Sequence, residues 1–264
     1  MTPKTILRDV KDKSLQESFF RQNTALHIYS IGDLDDFFWP YTTWYALQDG
    51  IQLTAVILVY CGQSLPAVLA IGDKIEPLYA LLNGIASDLP DRFYAHISPG
   101  AEQIIRPLFK LTSHGLHLKM ALSTTERVVT TDTRNVELLS THHSDELKAF
   151  YRSSYPGNWF DPRMLDTNQY YGIRLDDQLV SVAGIHVYSP SYRVAALGNI
   201  VTHPEYRRQS LGLKTTARVC QSLITSVDHI GLNVKADNLP AIKCYQKLGF
   251  ETIGEYGEFM VERM

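Results

Sequence analysis

The sequence has few cysteines and none of the spacings that bind metals or build disulfide frameworks. Its three cysteines, Cys61, Cys220 and Cys244, lie far apart and form no CxxC pair. Zinc knuckles and disulfide-rich scaffolds need closely spaced cysteines, so neither class is expected and no metal cofactor is predicted. Reduced thiols are typical of a protein of the cytoplasm.

Long apolar segments and an excess of one charge sign are also missing. The longest apolar run, near Ile51–Cys61, is shorter than the roughly 20 residues that span a bilayer. Residues 1–14 carry charge but no apolar core of a signal peptide. The formal net charge of −3 gives no electrostatic reason to expect nucleic acid or a membrane as partner. We therefore expect a cytoplasmic protein.

The polar, Thr-rich segment Ser123–Asn135 lies near the middle of the chain, between two stretches of mixed helix and strand patterns. It predicts two domains, 1–130 and 131–264, each of the α/β class. The patterns predict the following elements in the first half: helices Ser14–Thr24, Glu76–Leu89 and Pro99–Phe109, and strands Ile51–Tyr60, Leu65–Ile71, Phe93–Ile97 and His117–Leu122.

The second half gives the clearer pattern, β-α-β-β-β-α-β-α-β. Three helices are predicted. The first runs from Ser144, taken as its N-cap, to about Tyr151, and the other two cover Leu211–Ser226 and Pro240–Leu248. Its predicted strands are Val136–Leu139, Tyr170–Leu175, Leu179–Tyr188, Arg193–Thr202, Ile230–Lys235 and one or two within Glu251–Val261.

The two halves also resemble each other faintly. Trp39-Pro40 followed by the strand to Tyr60 echoes Trp159 to Pro162 followed by the strand to Tyr188. Two similar α/β units explain the echo, and chance likeness of aromatic-rich hairpins is the alternative.

The segment Val201–Lys214 has the features of an anion-binding loop. A strand ends before His203-Pro204, and a basic tip then leads into a helix. The free amides and positive dipole end of a helix N-terminus bind phosphate groups, and arginine supplies matching donors. A strand–helix connection with a solvated basic tip is the alternative.

A second segment, Asn233–Phe250, favours the binding site. Asn238 precedes a helix with Pro240 in its first turn, and Gly249 ends the helix. Asn238 and Tyr245 are seven residues apart, about two helical turns, so we expect them on one face beside the anion loop.

Together these segments resemble the GNAT superfamily of acyl-CoA-dependent N-acyltransferases. The loop Arg207-Arg208-Gln209-Ser210-Leu211-Gly212 follows the family pattern Arg/Gln-x-x-Gly-x-Gly/Ala, with Ser210 in place of the first glycine. A serine fits there if its backbone conformation is ordinary. The second family pattern is matched by Asn238, Ala241, Tyr245, Gly249 and Phe250. The sequence of this segment looks most like the C-terminal domain of glycine N-acyltransferase-like proteins.

The resemblance covers roughly Val136–Met264 and implies a GNAT fold there, with a degenerate GNAT-like half before it as a tandem pseudo-repeat. It also implies acetyl-CoA or CoA as the acyl-donor substrate, a small amine as acceptor, and a monomer or homodimer. The strand Arg193–Thr202 would splay from Ile230–Lys235 to admit pantetheine. The implied cofactor-binding residues are Ile200, Val201, Arg207, Arg208, Gln209, Ser210, Leu211, Gly212, Leu213, Asn238, Ala241 and Tyr245.

The resemblance makes Tyr245 the general acid at the CoA sulfur, with core packing as the alternative role. The strand before the loop holds no carboxylate, so the base is chosen among His186, Glu255, Glu258 and a water relay. Among these, His186 is named as the base because the intrinsic pKa of an imidazole suits that role, with a structural role on its strand as the alternative. Two further functions stay open, namely acetylation of proteins or peptides and non-catalytic sensing of acyl-CoA.

Overall fold

The computed structural model describes residues 4–264 and divides into two compact units, each with helices and strands. Unit 1 comprises the described chain up to Lys119 together with Val234–Asp237 and Ile253–Met264. Unit 2 comprises Met120–Asn233 and Asn238–Thr252. The α/β class is confirmed, while the domain limits 1–130 and 131–264 stay a prediction.

The first part of the chain supplies most of unit 1. Its strands follow the order β1-β2-β3-β4-β5, antiparallel except for the parallel pair β4–β5. The elements are β1 (Thr5–Arg8), α1 (Lys13–Phe20), α2 (Ile28–Gly32), β2 (Thr42–Asp49), β3 (Gln52–Tyr60), β4 (Ala67–Ala70), α3 (Ile75–Ile85), β5 (Arg92–Ile97), α4 (Glu102–Ile105) and β6 (Phe109–Leu122).

The second part of the chain builds unit 2 around strands in the order β11-β10-β9-β8-β7. Only the pair β10–β11 is parallel among these. The elements of this part of the chain are α5 (Glu126–Thr130), β7 (Glu137–Leu138), α6 (Ser144–Ser154), β8 (Tyr171–Leu175), β9 (Gln178–Ser189), β10 (Val194–Thr202), α7 (Leu211–Leu223), β11 (His229–Lys235), α8 (Leu239–Lys247) and β12 (Phe250–Arg263). Strand β12 starts in unit 2, and its residues from Ile253 onward belong to unit 1, where Gly257–Glu262 pairs with β5.

The repeat is confirmed in topology. The series β2-β3-β4-α3-β5-α4-β6 has the same element types as β8-β9-β10-α7-β11-α8-β12. In both series the first two strand pairs are antiparallel and the third is parallel. The likeness of the aromatic hairpins therefore reflects two units of the same plan.

Local sequence explains the best-predicted elements. Asp176 and Asp177 both have positive φ, +49° and +62°, which is the turn that suits a tight hairpin between β8 and β9. Helix α7 buries Ala217, Val219 and Leu223 completely, as the apolar spacing along this segment predicts.

Other predictions were wrong in detail. Ser144 is not the cap of α6, because a short 3₁₀ helix starts earlier and Ser140 forms a capping box with His143 instead. The predicted helix Pro99–Phe109 shrinks to α4, because Pro107 has no backbone N–H to continue the helical hydrogen bonds, although Arg106 before it still has helical geometry.

Strands β1 and β2 and the helix α5 were missed. The side chain of Trp44 in β2 is fully buried, so packing rather than a local pattern defines that strand. Helix α5 lies in the Thr-rich segment and is held to α7, where Gln221 Nε2 donates to the carbonyls of Val128 and Thr131 at 2.8 and 3.0 Å.

Candidate active site

The connection from β10 to α7 forms an exposed basic loop. It begins with a 3₁₀ turn at Pro204–Tyr206, so the predicted break after Thr202 is confirmed. Arg207, Arg208, Gln209 and Ser210 are all exposed. The loop therefore presents two guanidinium groups to solvent directly before a helix start.

The backbone of this loop is left-handed at two positions. Ser210, the N-cap of α7, has φ +59° and ψ +15°, and Arg208 has φ +65°. The condition under which a serine fits here, an ordinary backbone conformation, is not met, because the turn into α7 needs the geometry that glycine adopts without cost. A left-handed residue followed by a helical one also turns consecutive N–H groups toward one point, which makes an anion-binding concavity.

The start of α7 is held in place by apolar and close backbone packing. Leu211 is buried against Ile173 and Val180. A Cβ at Gly212 would lie 3.1 Å from Thr202 Oγ1, so glycine allows the helix to approach β10. The first amides of α7 have no carbonyl one turn earlier, and with the helix dipole they form a site for phosphate oxygens.

Strands β10 and β11 separate several residues before the basic loop begins. Their parallel pairing runs from Val194↔His229 to Leu197↔Leu232, while β10 continues to Thr202. This is the gap that the resemblance implies for pantetheine. Ile200 and Val201 lie on the stretch of β10 beyond its last pair with β11, where Val201 still pairs with Val182 of β9, and their backbone groups are the ones expected to bind pantetheine.

A bulge marks the same stretch on the other edge of β10. The register against β9 shifts by one residue between Gly198 and Val201, and Asn199 within it has φ +55°. The resulting change of strand direction is typical of bulges beside active sites.

The side chain of Asn199 belongs to a buried network that sequence reasoning missed. Tyr151 Oη donates to the Asn199 carbonyl at 3.0 Å, and Asn199 Nδ2 donates to Tyr170 Oη at 2.7 Å. Tyr170 Oη in turn donates to the carbonyl of Ile185 at 2.8 Å. Nothing in the local sequence marks these residues, because they lie on three different elements.

Helix α8 carries the second family pattern. Asn238 is its N-cap, with Oδ1 accepting from the amide of Ala241 at 3.3 Å. Tyr245 is 7% exposed, and its ring lies edge-on to Phe250 with centroids 6.1 Å apart. Asn238 thus fixes the start of the helix and is exposed, whereas Tyr245 is buried.

His186 lies against the strand at the bulge. Its ring covers Gly198, where an added Cβ would collide with it, and it packs against Trp159 with centroids 5.6 Å apart. The side chain is half-buried. The structure therefore brings His186 to β10 next to the residues expected to bind the thioester.

The two alternative carboxylates lie in unit 1. Glu258 accepts from His117 Nε2 at 2.5 Å and from His96 Nε2 at 3.2 Å. Burial alone would raise its pKa, but the bonds from His117 and His96 hold the pKa of Glu258 well below its usual range. Such a carboxylate is a weak base. Glu255 lines a cavity of about 240 Å³ in the same unit.

Two further side chains of unit 2, a thiol and a carboxylate, are unsuited to take part in the reaction or to bind the acceptor. Burial raises the pKa of the Cys244 thiol to about 11, so it is protonated at neutral pH and poorly suited to act as a nucleophile. Asp161 is buried and paired with Arg163 at 2.6 Å, which leaves it unsuited to hold a substrate ammonium group.

Residues 136–250 match the sequence model of the Acetyltransferase (GNAT) family. This segment is therefore a GNAT acetyltransferase domain. The segment contains the basic loop, the gap beside β10 and helix α8. Since GNAT enzymes are N-acetyltransferases that use acetyl-CoA, the protein is an N-acetyltransferase with an acyl-CoA donor.

Solved structures share the fold over the whole chain, beyond the GNAT domain itself. A GNAT-family structure from Novosphingobium aromaticivorans has TM-score 0.60 and 20% identity, covering 79% of this chain and 88% of that one. A Drosophila protein has TM-score 0.71 and 10% identity, with 98% and 99% covered. A tandem GNAT protein from the clavulanic acid biosynthesis pathway has TM-score 0.54 and 13% identity, with 99% and 98% covered.

At these identities the likeness concerns the fold alone, and it supports a GNAT-like plan in unit 1 as well as in the GNAT domain. A sequence search of curated proteins finds no significant match. Across residues 4–264, no helix is long and apolar enough to cross a membrane. Over the same range, no group of three or more His, Cys, Asp and Glu side chains is arranged to hold a metal ion.

Proposed function

We propose that the protein transfers an acetyl group from acetyl-CoA to the amine of a small molecule or amino acid. The observation that carries the donor half of this proposal is the coincidence of two features of the GNAT domain. The left-handed basic loop offers amides and guanidinium groups to a pyrophosphate, and β10 leaves β11 within reach of the same loop to admit pantetheine.

In this proposal Arg207 to Leu213 bind the pyrophosphate, and the backbone of Ile200 and Val201 binds the pantetheine arm. Asn238 and Ala241 fix the start of α8, which presents Tyr245 to the cofactor. The same proposal includes the finer likeness to glycine N-acyltransferase-like proteins and the small acceptor. It also includes a monomeric or homodimeric state, a location in the cytoplasm and the domain limits 1–130 and 131–264.

The chemistry is direct attack of a neutral amine on the thioester carbonyl. His186 takes the amine proton, supported by its place against Gly198 at the bulge. Tyr245 donates a proton to the departing thiolate. The new bond is the amide C–N bond, and the bond that breaks is the thioester C–S bond.

Calorimetric titration with acetyl-CoA and CoA tests the donor site. Wild-type protein should bind in the micromolar range, and the double variant Arg208→Ala, Gly212→Trp should lose binding, because it removes a guanidinium group and fills the approach to Thr202. The matched control is Arg134→Ala, an exposed arginine paired with Asp132 outside the loop. Wild-type protein that binds neither ligand would refute the proposal.

Turnover then tests the catalytic roles. Tyr245→Phe should lower the rate of CoA release while leaving CoA binding intact, and His186→Gln should lower the rate most at a pH where the free amine is scarce. Unchanged turnover in Tyr245→Phe would remove that assignment. The mass of the products formed from small amines and from peptides distinguishes the small-molecule acceptor from a protein acceptor.

A further inference from the structure

The bulge in β10 is fixed by hydrogen bonds that all meet at Asn199. Its carbonyl accepts from Tyr151 Oη at 3.0 Å, and its Nδ2 donates to Tyr170 Oη at 2.7 Å. Tyr170 Oη donates to the carbonyl of Ile185 in β9 at 2.8 Å. One residue of β10 is thereby tied to α6, to the residue that precedes β8, and through it to β9.

The directions of these bonds follow from the chemistry of the groups. Burial raises the pKa of both Tyr151 and Tyr170, so both are neutral hydroxyls with one proton each to donate. The proton of Tyr170 goes to the carbonyl of Ile185, so its oxygen must accept from Asn199. This requirement points Nδ2 of Asn199 toward Tyr170 and leaves Oδ1 on the other side.

Asn199 combines two costs that an ordinary strand residue avoids. Its backbone is left-handed, a conformation that asparagine tolerates better than most other non-glycine residues. Its Oδ1 is buried and has no hydrogen-bond partner within residues 4–264. Costs of this kind persist where the surrounding structure over-determines a residue, and they cluster at functional sites.

The bulge lies where the strand must face the acyl group. It falls between Gly198 and Val201, on the stretch of β10 beyond its last pair with β11. The direction of the N–H group of Ile200, within the bulge, is set by how the chain leaves Asn199, because the bulge inserts one residue and reverses the alternation of the strand before Val201 pairs with Val182 of β9.

We propose that Asn199, held by Tyr151 and Tyr170, is a positioning residue that aims the amides of the β10 bulge at the thioester carbonyl of the acyl donor. The inference rests on the proposed function and deepens it. Asn199 acts through the backbone of its neighbours. The network fixes their N–H groups before the donor arrives, which is the condition under which such donors stabilise a developing oxyanion most.

A pair of ligands isolates the contact with the carbonyl. Acetyl-CoA has the carbonyl oxygen, and S-ethyl-CoA is the thioether that lacks it, while the nucleotide and pantetheine are the same. The ratio of their dissociation constants in calorimetry therefore reports the bulge amides alone. Wild-type protein should prefer acetyl-CoA by about 3–10-fold, within the range of one net hydrogen bond.

Two variants loosen the bulge without filling the site. Asn199→Gly keeps a residue that adopts positive φ but removes the side-chain bond, and Tyr170→Phe removes the hydroxyl that holds Nδ2. Both should lower the preference for acetyl-CoA to about 2-fold or less while leaving binding of S-ethyl-CoA unchanged. The matched control is Tyr188→Phe on β9, whose hydroxyl bonds Ser226 at 3.1 Å, and it should keep the wild-type preference.

Kinetics give the second readout. Once an acceptor is found, Asn199→Gly should lower kcat by about 10–100-fold with little change in the KM of acetyl-CoA, because misplaced donors affect the transition state more than the ground state. A loss of folding alone would lower the active fraction and change the S-ethyl-CoA stoichiometry as well.

The outcomes separate the two proposals. If wild-type protein binds neither ligand, the proposed function fails and this inference fails with it. If wild-type protein binds both ligands equally, or if the variants keep the preference for acetyl-CoA, the donor site stands and the role of Asn199 is refuted.

Discussion

Replacement of Ser210 by glycine should stabilise the protein, although most substitutions destabilise. Ser210 holds φ +59° and ψ +15° at the N-cap of α7, is exposed, and within the described chain its side chain makes no capping bond to the helix. The left-handed conformation costs a residue with a Cβ about 1–2 kcal/mol. Glycine avoids that cost but loses more conformational entropy on folding, about 0.5–1 kcal/mol.

The difference leaves a gain of about 0.5–1 kcal/mol for Ser210→Gly. For a chain of this size that gain raises Tm by about 2 °C, measured by calorimetry without ligand. The matched control is Ser222→Gly in the last turn of the same helix, where the backbone is helical and glycine should lower Tm by a similar amount. If both variants lower Tm equally, Ser210 is not strained and the reasoning about the loop is refuted.

Three further results are expected. Burial raises the pKa of Asp33 to about 8, so wild-type stability falls as pH rises from about 4 toward 8, and Asp33→Asn should gain up to about 5 kcal/mol at pH 8 and almost nothing at pH 4 in urea unfolding. Burial would raise the pKa of Glu258, but the hydrogen bonds from His117 and His96 hold it low, so this carboxylate stabilises the fold above its unfolded pKa and loses that contribution as pH falls. Glu258→Gln should therefore cost about 2–4 kcal/mol at pH 7 and flatten the loss of stability below about pH 4.5. Titration calorimetry should give one CoA bound per chain. A second equivalent site would contradict the structure of unit 1, where β4 stays paired with β5 along its whole length and leaves no gap for pantetheine.

Elements with a strong local signal could be predicted from the sequence. The order from β8 to α8 rests on hairpin turns, a proline break and an apolar helix face, each of which depends on neighbouring residues only. The Asp176-Asp177 turn is an example, since both residues adopt the positive φ that the turn needs. Strand β2 gave a weaker signal, because the burial of Trp44 depends on residues far away in the chain.

The candidate site shows the same difference between features with a local sequence signal and features that depend on distant residues. The loop and the second family pattern are contiguous in sequence, so they were found as motifs. The conformation of Ser210 was left open by the sequence, because a serine stands where the fold imposes the geometry of glycine. The network through Tyr151, Tyr170 and Asn199 was missed, because it is created only when α6, β8 and β10 pack together.

The two units also show why the same strand order need not make the same site. In unit 1 all four residues of β4 pair with β5, from Ala67↔Tyr94 to Ala70↔Ile97. Ser98 then extends the closure, since its amide donates to the Ala70 carbonyl at 3.0 Å and its Oγ accepts from the Gly72 amide at 3.0 Å.

The corresponding strands of unit 2, β10 and β11, part after four pairs, and β10 continues past a bulge with β9 as its neighbour but without β11. The connection to the following helix is residues 71–74 in unit 1 and residues 203–210 in unit 2. A gap between parallel strands and a loop long enough to turn its amides inward are both needed to hold a pantetheine arm and its pyrophosphate. The described part of unit 1 has neither, so acyl-CoA binding should depend on the bulge, the basic loop and the strand ends of unit 2.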